Sequence, residues 1–155
     1  MSNFHHLARG IIISDNKVLL AHAIGHRNTF LPGGHIEFGE SAPIALKREI
    51  EEEIGLSCDI ESFLGVVEHK WEKNNVLHCE INQAFKLIIP EIEAPIAPTS
   101  QEPHIEFYWA PINELDKHNL QPYPFRKLIQ QLVKNDDSVW WESTLSSEVD
   151  PDNIE

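Results

Sequence analysis

Three glutamates near the middle of the chain carry the strongest chemical signal in this sequence. Glu49, Glu52 and Glu53 have the i, i+3 and i+4 spacing that places side chains on one face of an α-helix. Unneutralised carboxylates on one face repel one another, and a divalent cation removes that repulsion. Mg²⁺ prefers oxygen ligands, commonly a few carboxylates together with substrate phosphates. The spacing therefore favours a site for Mg²⁺ or Mn²⁺. Taken alone, the glutamates also fit an ordinary solvated acidic helix.

The helix that would position these glutamates is predicted at residues 41–54. Ser41 is a good N-cap because its hydroxyl can accept a hydrogen bond from a free backbone N–H. Pro43 falls in the first turn, where its missing N–H removes no intrahelical bond. Gly55 can take a positive φ and end the helix. The β-branched residues of this segment predict a buried stripe of Ile44, Ile50 and Ile54.

Residues on either side of the glutamates are suited to support such a site. Arg48 lies beside them in sequence and could brace a carboxylate through a bidentate pair. Residues 31–34 read Leu-Pro-Gly-Gly, a tight backbone with little side-chain bulk. Such a backbone suits the close approach of a phosphate or of a carbonyl ligand to metal. We therefore expect Gly33 to contact substrate and Gly34 to contribute to the metal site.

Residues 34–56 resemble the signature box of the Nudix hydrolases at every fixed position. With residue frequencies of roughly 5–7%, this agreement should arise by chance at well under one start in about 10⁷. The resemblance implies a metal-dependent hydrolase that cleaves a nucleoside diphosphate linked to another moiety, by water attack on phosphorus. It also implies that the box glutamates hold the metal and that Glu40 supports the site. A helix N-terminal acid favoured by the helix dipole is the other interpretation of Glu40.

The general base is left open by the sequence. In the Nudix family it can be a box glutamate or an acid from a distant loop, so Glu53, Glu52 and the loop residue Glu102 are candidates. Glu93 and Glu106 are further alternatives, and each acid outside the box also fits an ordinary solvated side chain. Phosphoryl chemistry needs positioning and charge neutralisation more than covalent help. A metal on the box glutamates would supply that neutralisation and would orient the water.

Composition limits the class of protein. The chain has 155 residues, enough for one domain with a sizeable core. A formal net charge of −13 argues against a nucleic-acid-binding surface, so bound cations are expected to mediate contact with an anionic substrate. Cys58 and Cys79 lack zinc spacing and are expected to be thiols rather than a disulfide. With no signal peptide or membrane-length apolar run, a cytoplasmic enzyme without membrane partners is expected.

Apolar runs separated by turn residues predict the other elements. Strands are predicted at residues 7–13, 17–23, 29–31, 57–71, 76–89 and 105–110, the first two as a hairpin. Residues 73–75 are predicted as a turn, and the proline-rich residues 90–103 as a loop. A short helix is expected at residues 111–117 and an amphipathic helix at 125–134. The inward face of the latter is predicted to be Phe125, Leu128, Ile129, Leu132 and Val133.

Strands mixed with two widely separated helices predict an α/β sandwich whose mixed sheet is covered on both faces. This agrees with the Nudix-type α/β/α sandwich that the resemblance implies. Residues 109–115 also resemble a late tryptophan-proline-glutamate-leucine pattern of that family. We therefore expect a Nudix domain at residues 1–134 and an acidic C-terminal extension at residues 135–155, partly packed or frayed. In that extension Trp140 and Trp141 either pack back on the domain or form a dimer contact or lid, so a homodimer is left open.

The substrate is not determined by the sequence. Family subgroups carry a proline or a tyrosine roughly 15–18 residues past the box, and residues 70–74 contain neither. A small nucleoside triphosphate or an ADP-ribose-like nucleotide is expected, because such a substrate fits the short chain. Trp71 could stack on its base with His69 on the same strand face, although a core or interface aromatic is equally compatible. The alternative function is a non-catalytic Nudix-type binding or regulatory module, which the complete set of box glutamates argues against.

Overall fold

The strand-forming segments assemble into two sheets in the computed structural model, which describes residues 2–151. In chain order the strands are β1 (Ser2–Ile11), β2 (Ile13–Ser14), β3 (Lys17–Ala23), β4 (Gly33–His35), β5 (Asp59–Lys73), β6 (Val76–Ile88), β7 (Ile105–Pro111) and β8 (Trp140–Ser143). The helices are α1 (Ala42–Ile54) and α2 (Pro124–Val133), with a 3₁₀ turn at Ile112–Glu114.

The larger sheet is mixed, as predicted, with the strand order β4-β1-β6-β5-β8. Strand β1 runs parallel to β6 and antiparallel to β4, whereas β5 runs antiparallel to β6 and parallel to β8. The smaller sheet has the order β2-β3-β7 and is antiparallel. The long hairpin of β5 and β6 turns at Asn74 and Asn75, both of which have positive φ, where a turn was predicted.

Both faces of the larger sheet are covered, which confirms the predicted α/β/α sandwich. Ala84 belongs to a core cluster that includes Phe125 of α2, and the next residue, Phe85, belongs to a second cluster that includes Leu46 of α1. Successive residues of a strand point to opposite faces, so one strand serves both layers. The box helix, α1, therefore packs against one face of the sheet and α2 packs against the other.

The box helix begins and ends where the sequence predicts. Ser41 is extended, its Oγ accepts from the Ile44 N–H at 3.4 Å, and Gly55 ends the helix with φ 80°. Ile50 and Ile54 are buried, but the prediction that Ile44 joins them is wrong, because its side chain is 62% exposed. Six positions along a helix rotate a side chain by about 600°. Ile44 therefore lies roughly a third of a turn away from Ile50 and faces solvent.

Two predicted elements near the N-terminus differ in the structure. The first predicted strand is divided at residue 12, because β1 pairs with β4 and β6 while only β2 forms the hairpin with β3. The predicted strand at residues 29–31 is reduced to isolated bridges, from Phe30 to Ala21 and from Thr29 to Leu120. The strand lies instead in the glycines of β4, where the backbone of Ala8 approaches Gly33 too closely for any side chain.

The C-terminal part of the chain also differs from its predictions. In α2, Phe125, Leu128 and Ile129 are buried as predicted, but Val133 is exposed. The predicted helix at residues 111–117 is only a 3₁₀ turn. The extension contains a strand, β8, that the sequence analysis did not predict, and Trp140 is buried while Trp141 is 67% exposed. Successive side chains of a strand point to opposite faces, so the indoles of Trp140 and Trp141 lie on opposite faces of β8. Residues 152–155 of the predicted extension lie outside the described residues.

Local geometry explains how β8 attaches to the sheet. Gly65 has φ 143°, and the backbone of Trp140 occupies the space that a Cβ at this position would need. Further along, the Thr144 N–H donates to the Glu68 carbonyl at 3.0 Å. Within the described residues, no helix is long and apolar enough to cross a membrane.

Candidate active site

The box helix borders a cleft of about 570 Å³ that opens beside β4. Its walls come from β1, β4, α1, the turn after β3 and the loop before β7. The charged and polar side chains that line it are Arg9, His26, Asn28, His35, Glu49, Glu53, Lys73, Glu102 and His104. The backbone of Gly33 and Gly34 completes the wall. The structure thus brings together five of the residues that the sequence analysis named, namely Gly33, Gly34, Glu49, Glu53 and Glu102.

Arg48 lies outside the cleft lining and connects Glu40, in the loop before the box helix, to that helix. Its Nε and Nη2 atoms each donate to a different carboxylate oxygen of Glu40 at 2.8 Å. Nη2 also donates to the His35 carbonyl at 3.0 Å, and Nη1 donates to Glu49 Oε1 at 3.1 Å. The hydrogen bonds from Arg48 hold the pKa of Glu40 down at about 2. One guanidinium therefore fixes β4, the loop after it and a cleft carboxylate relative to one another.

Glu53 is the most unusual carboxylate of the site. Its side chain is 6% exposed, and its Oε2 atom is buried without a hydrogen-bond partner among the described residues. Burial raises the pKa of Glu53 to about 8, against the opposing effect of the positive charge on Arg9. A buried carboxylate oxygen without a partner is destabilising. A divalent cation bound at this oxygen would remove the penalty, so the donor set fits the metal that the family resemblance implies.

Glu49 and Gly34 form the other side of the same cradle. A Cβ built on Gly34 would stand 2.6 Å from the Glu49 carboxyl group. Glycine is therefore needed here for Glu49 to lie against the β4 backbone. Burial raises the pKa of Glu49, while the bond from Arg48 opposes that rise. The carboxylates of Glu49 and Glu53 and the glycine backbone of β4 thus line the same part of the cleft.

Glu52 does not join this pair. Its side chain is 53% exposed, and it lies 3.4 Å from Arg48 Nη1 rather than in the cleft. Among residues 2–151, no three histidine, cysteine or acidic side chains converge closely enough to hold a metal ion by themselves. A cation held by Glu49 and Glu53 would need further oxygens from backbone, phosphate or water. Glu52 would join it only after rotating away from Arg48.

The three candidate bases outside the box lie in different surroundings. Glu102 lines the cleft, and its charge contributes to raising the pKa of Glu53. Its loop is attached to α1, because the Gln101 N–H donates to the Glu53 carbonyl at 2.7 Å. Glu93 is exposed outside the cleft, and Glu106 is paired with His22 at 2.9 Å. Of these three, only Glu102 is placed to reach a cleft-bound molecule.

Trp71 and His69 are not among the residues that line the cleft. Trp71 is 8% exposed, and its indole stacks on the His78 ring with centroids 3.9 Å apart. His69 is buried, and its Nδ1 lies 2.8 Å from the Thr144 hydroxyl of the C-terminal extension. Both side chains therefore have protein partners where base recognition would need a free surface. Stacking of Trp71 on a nucleotide base stays a prediction that this placement does not favour.

Arg9 is a cleft residue that the sequence analysis did not single out. Its Nη1 donates to the Leu31 carbonyl at 3.0 Å, and its guanidinium lies 5.6 Å from the centre of the Phe30 ring. The available signal was an arginine within an otherwise apolar first strand, with Ala8 and Gly10 on either side. Together with Lys73, Arg9 adds positive charge to the lining of the cleft, and the charge of Arg9 acts on Glu49 and Glu53. A phosphate bound in the cleft would contact these two cationic side chains and the metal ion.

The profile of the NUDIX domain family matches residues 4–132, and the chain therefore belongs to this family. An ADP-ribose pyrophosphatase of Methanocaldococcus jannaschii is 47% identical over 62 residues, which cover 37% of this chain and 36% of that protein. An RNA pyrophosphohydrolase of Ruthia magnifica is 49% identical over 57 residues, which cover 36% of this chain and 32% of that protein. The matched segment thus spans about a third of the length of these curated relatives.

Solved structures agree with this fold. The crystal structure of a MutT NUDIX hydrolase from Burkholderia pseudomallei superposes with a TM-score of 0.63 at 24% identity. The superposition covers 84% of this chain and 98% of that chain. At this level of identity the likeness supports the architecture, and the site must be argued from its own residues.

Proposed function

We propose that this protein is a metal-dependent pyrophosphohydrolase that cleaves a phosphoanhydride bond in a small nucleotide. The observation that carries the proposal is the buried oxygen of Glu53, which has no hydrogen-bond partner within residues 2–151 and lies in the cleft with Glu49. Nudix proteins generally use divalent cations and act on small nucleotides, and both relatives named above are described as pyrophosphate-cleaving enzymes. Mg²⁺, with Mn²⁺ as a substitute, is the proposed cofactor. A nucleoside triphosphate or an ADP-ribose-like compound is the proposed substrate, and the cytoplasm is the proposed location.

In the proposed reaction, water attacks a phosphorus atom, a new P–O bond forms and the bridging P–O bond breaks. When bound, Mg²⁺ would supply charge neutralisation at the phosphate oxygens and would orient the water. Glu49 and Glu53 would hold the cation, and the charges of Arg9 and Lys73 attract the remaining phosphate oxygens. The Glu102 carboxylate accepts the proton that the water loses. Each role is assigned from position in the cleft.

The alternative is a nucleotide-binding module without turnover. It is favoured by one observation, that Glu52 pairs with Arg48 and does not converge with Glu49 and Glu53. One experiment separates the two functions. The protein is incubated with Mg²⁺ and a panel of ADP-ribose, dinucleoside polyphosphates, nucleotide sugars and nucleoside triphosphates, and products are separated by chromatography. Mg²⁺-dependent product from at least one compound supports the enzyme, whereas tight binding without any product supports the module.

Stability of the metal-free protein should decrease as pH rises from about 5 to about 8. Glu53 has a pKa of about 8 when folded, above its ordinary value of 4.5, so the unfolded chain binds fewer protons across this interval. The destabilisation should reach a few kcal/mol, which corresponds to a melting temperature lower by roughly 5–10 °C. Millimolar Mg²⁺ should reverse most of it at pH 8 and little at pH 5, because the cation binds the ionised carboxylate of the native state.

Thermal melting at both pH values, with and without Mg²⁺, tests this expectation. Glu51→Gln is a suitable control because Glu51 is exposed on the same helix. A melting temperature that responds to neither pH nor Mg²⁺, in a protein that binds no Mg²⁺ by calorimetry, would contradict a preformed site.

A further inference from the structure

One wall of the cleft is a turn at residues 24–28, between β3 and the bridge at Thr29. Ala23, at the end of β3, lines the cleft, and so do His26 and Asn28 of the turn. The position of this turn therefore contributes to the shape of the cleft. The turn belongs to neither a helix nor a strand pairing.

Backbone hydrogen bonds fix both ends of the turn. The Ile24 N–H donates to the His104 carbonyl at 2.9 Å, and the Thr29 N–H donates to the Asn119 carbonyl at 3.1 Å. The centre of the turn has one local backbone bond, from the His26 N–H to the Ala23 carbonyl at 3.0 Å, and a side chain links it to the small sheet. His22 Nε2 lies 2.6 Å from the carbonyl oxygen of His26. His22 thus holds the one peptide group that lies farthest from the two anchored ends.

His22 is itself held from the other side. Its Nδ1 lies 2.9 Å from Oε1 of Glu106, which faces it directly across the β3–β7 ladder. Ala23 and Ile105 point into the cleft, so their neighbours His22 and Glu106 point to the opposite face of the small sheet. The imidazole therefore holds the turn from behind, outside the space that a substrate would fill.

Both partners of the His22 ring are acceptors. A carbonyl oxygen and an ionised carboxylate oxygen have no proton to donate, and neutral imidazole has only one N–H. Both contacts are hydrogen bonds at once only when the ring is an imidazolium. Burial lowers the pKa of His22, but the bonds to the His26 carbonyl and to Glu106 outweigh it and raise the pKa above its ordinary value of 6.5.

We propose that His22, as an imidazolium bridging Glu106 and the His26 carbonyl, is a positioning residue that fixes this wall of the cleft for substrate binding. The proposal rests on the function proposed above, because it assigns the cleft to the substrate. Loss of the proton removes one of the two bonds and weakens the link between the centre of the turn and the small sheet. Substrate affinity should therefore weaken as pH rises through the pKa of His22, while the chemical step on the far side of the cleft is unaffected by this change.

Other titratable groups surround the His22 ring and must be separated from it. On β7 these groups are Glu106 itself and Tyr108, which lies on the same face of the strand. Burial raises the pKa of Tyr108, so it stays neutral over the range of interest. The ring of His26 belongs to the turn. A measurement that resolves individual imidazoles is therefore required.

The first test needs no substrate. Histidine ring and backbone amide resonances are followed by NMR from pH 5 to 9 in the metal-free protein. The amides of Gly25 and Asn28 should titrate with the same midpoint as the His22 ring. In Glu106→Gln that midpoint should decrease, because the acceptor carboxylate is lost. A turn whose amides do not follow the His22 ring overturns the proposal, whichever function the protein has.

The second test uses the nucleotide that the panel identifies. His22→Ala should raise KM by roughly tenfold, the effect of one charged hydrogen bond, and leave kcat within about twofold. The ratio of the variant's KM to that of the wild type should decrease as pH rises through the pKa of His22, because pH effects from the cleft carboxylates are common to both proteins. His6→Gln is the control, since His6 pairs with Gln83 at 2.8 Å away from the turn. An equal loss in kcat, or an unchanged KM, overturns the positioning role even if the hydrolase activity is confirmed.

Discussion

Glu53→Gln should lower kcat/KM by about 10³-fold and leave the protein folded. The substitution removes the charge of a buried carboxylate that has no hydrogen-bond partner for one of its oxygens among the described residues, while its volume changes little. Removing a group that holds the catalytic cation or transfers a proton typically costs 10²- to 10⁴-fold in rate. Steady-state kinetics with the substrate found in the panel measure the loss, and circular dichroism checks the fold.

The metal-free stability of the same variant gives an independent result. Glutamine is neutral at every pH, so the decrease in stability between about pH 5 and pH 8 should be much smaller than in the wild type. At pH 8 without metal, Glu53→Gln should melt at a higher temperature than the wild type. Activity close to that of the Glu51→Gln control, together with an unchanged response to Mg²⁺, would remove Glu53 from the site.

Arg48→Lys should lower kcat/KM by about 10²-fold even though the positive charge is kept. Arg48 contacts the carboxylates of Glu40, Glu49 and Glu52 and the His35 carbonyl. Two of these hydrogen bonds form a bidentate pair with Glu40, and a lysine ammonium cannot reproduce that planar geometry. Without it, Glu49 loses its brace and β4 loses its link to α1. The effect should fall mainly on kcat, because the guanidinium acts on the geometry of the site and does not line the cleft.

A double-mutant cycle with Glu40→Gln tests whether Arg48 acts through Glu40. If the pair works as one unit, Glu40→Gln and the double variant should each lose about as much activity as Arg48→Lys alone. Kinetics should be measured together with melting temperatures, so that loss of structure is separated from loss of positioning. Additive losses would show that Arg48 acts independently of Glu40, and wild-type kcat in either single variant would show that this ion pair is only a surface feature.

The box helix shows how far local sequence rules extend. Its N-cap at Ser41, its end at Gly55 and its carboxylate spacing follow from capping chemistry and from a period of 3.6 residues. The β-branched residue type alone predicted a buried Ile44 wrongly, whereas its angle around the helix explains why it is exposed. Strands β5 and β6 were likewise predicted from turn residues and alternation, but the order of strands in the sheets was not.

The C-terminal extension shows a second limit. A strand at residues 140–143 was not predicted, because its four residues have no distinctive pattern. It forms because Gly65 leaves room for the Trp140 backbone and because β5 offers a free edge. A homodimer stays a prediction, and the exposed Trp141 beside this edge is where it would be tested.

By itself, the sequence determined the fold class, the box helix and the spacing of its carboxylates, since each depends on residues close together in the chain. Only the tertiary structure decided that Glu53 is buried beside Arg9, that Glu52 turns towards Arg48, and that Glu102 enters the cleft. It also decided the link between His22 and Glu106, which are 84 positions apart. Such contacts arise from the packing of distant segments, and no local periodicity records which segments meet.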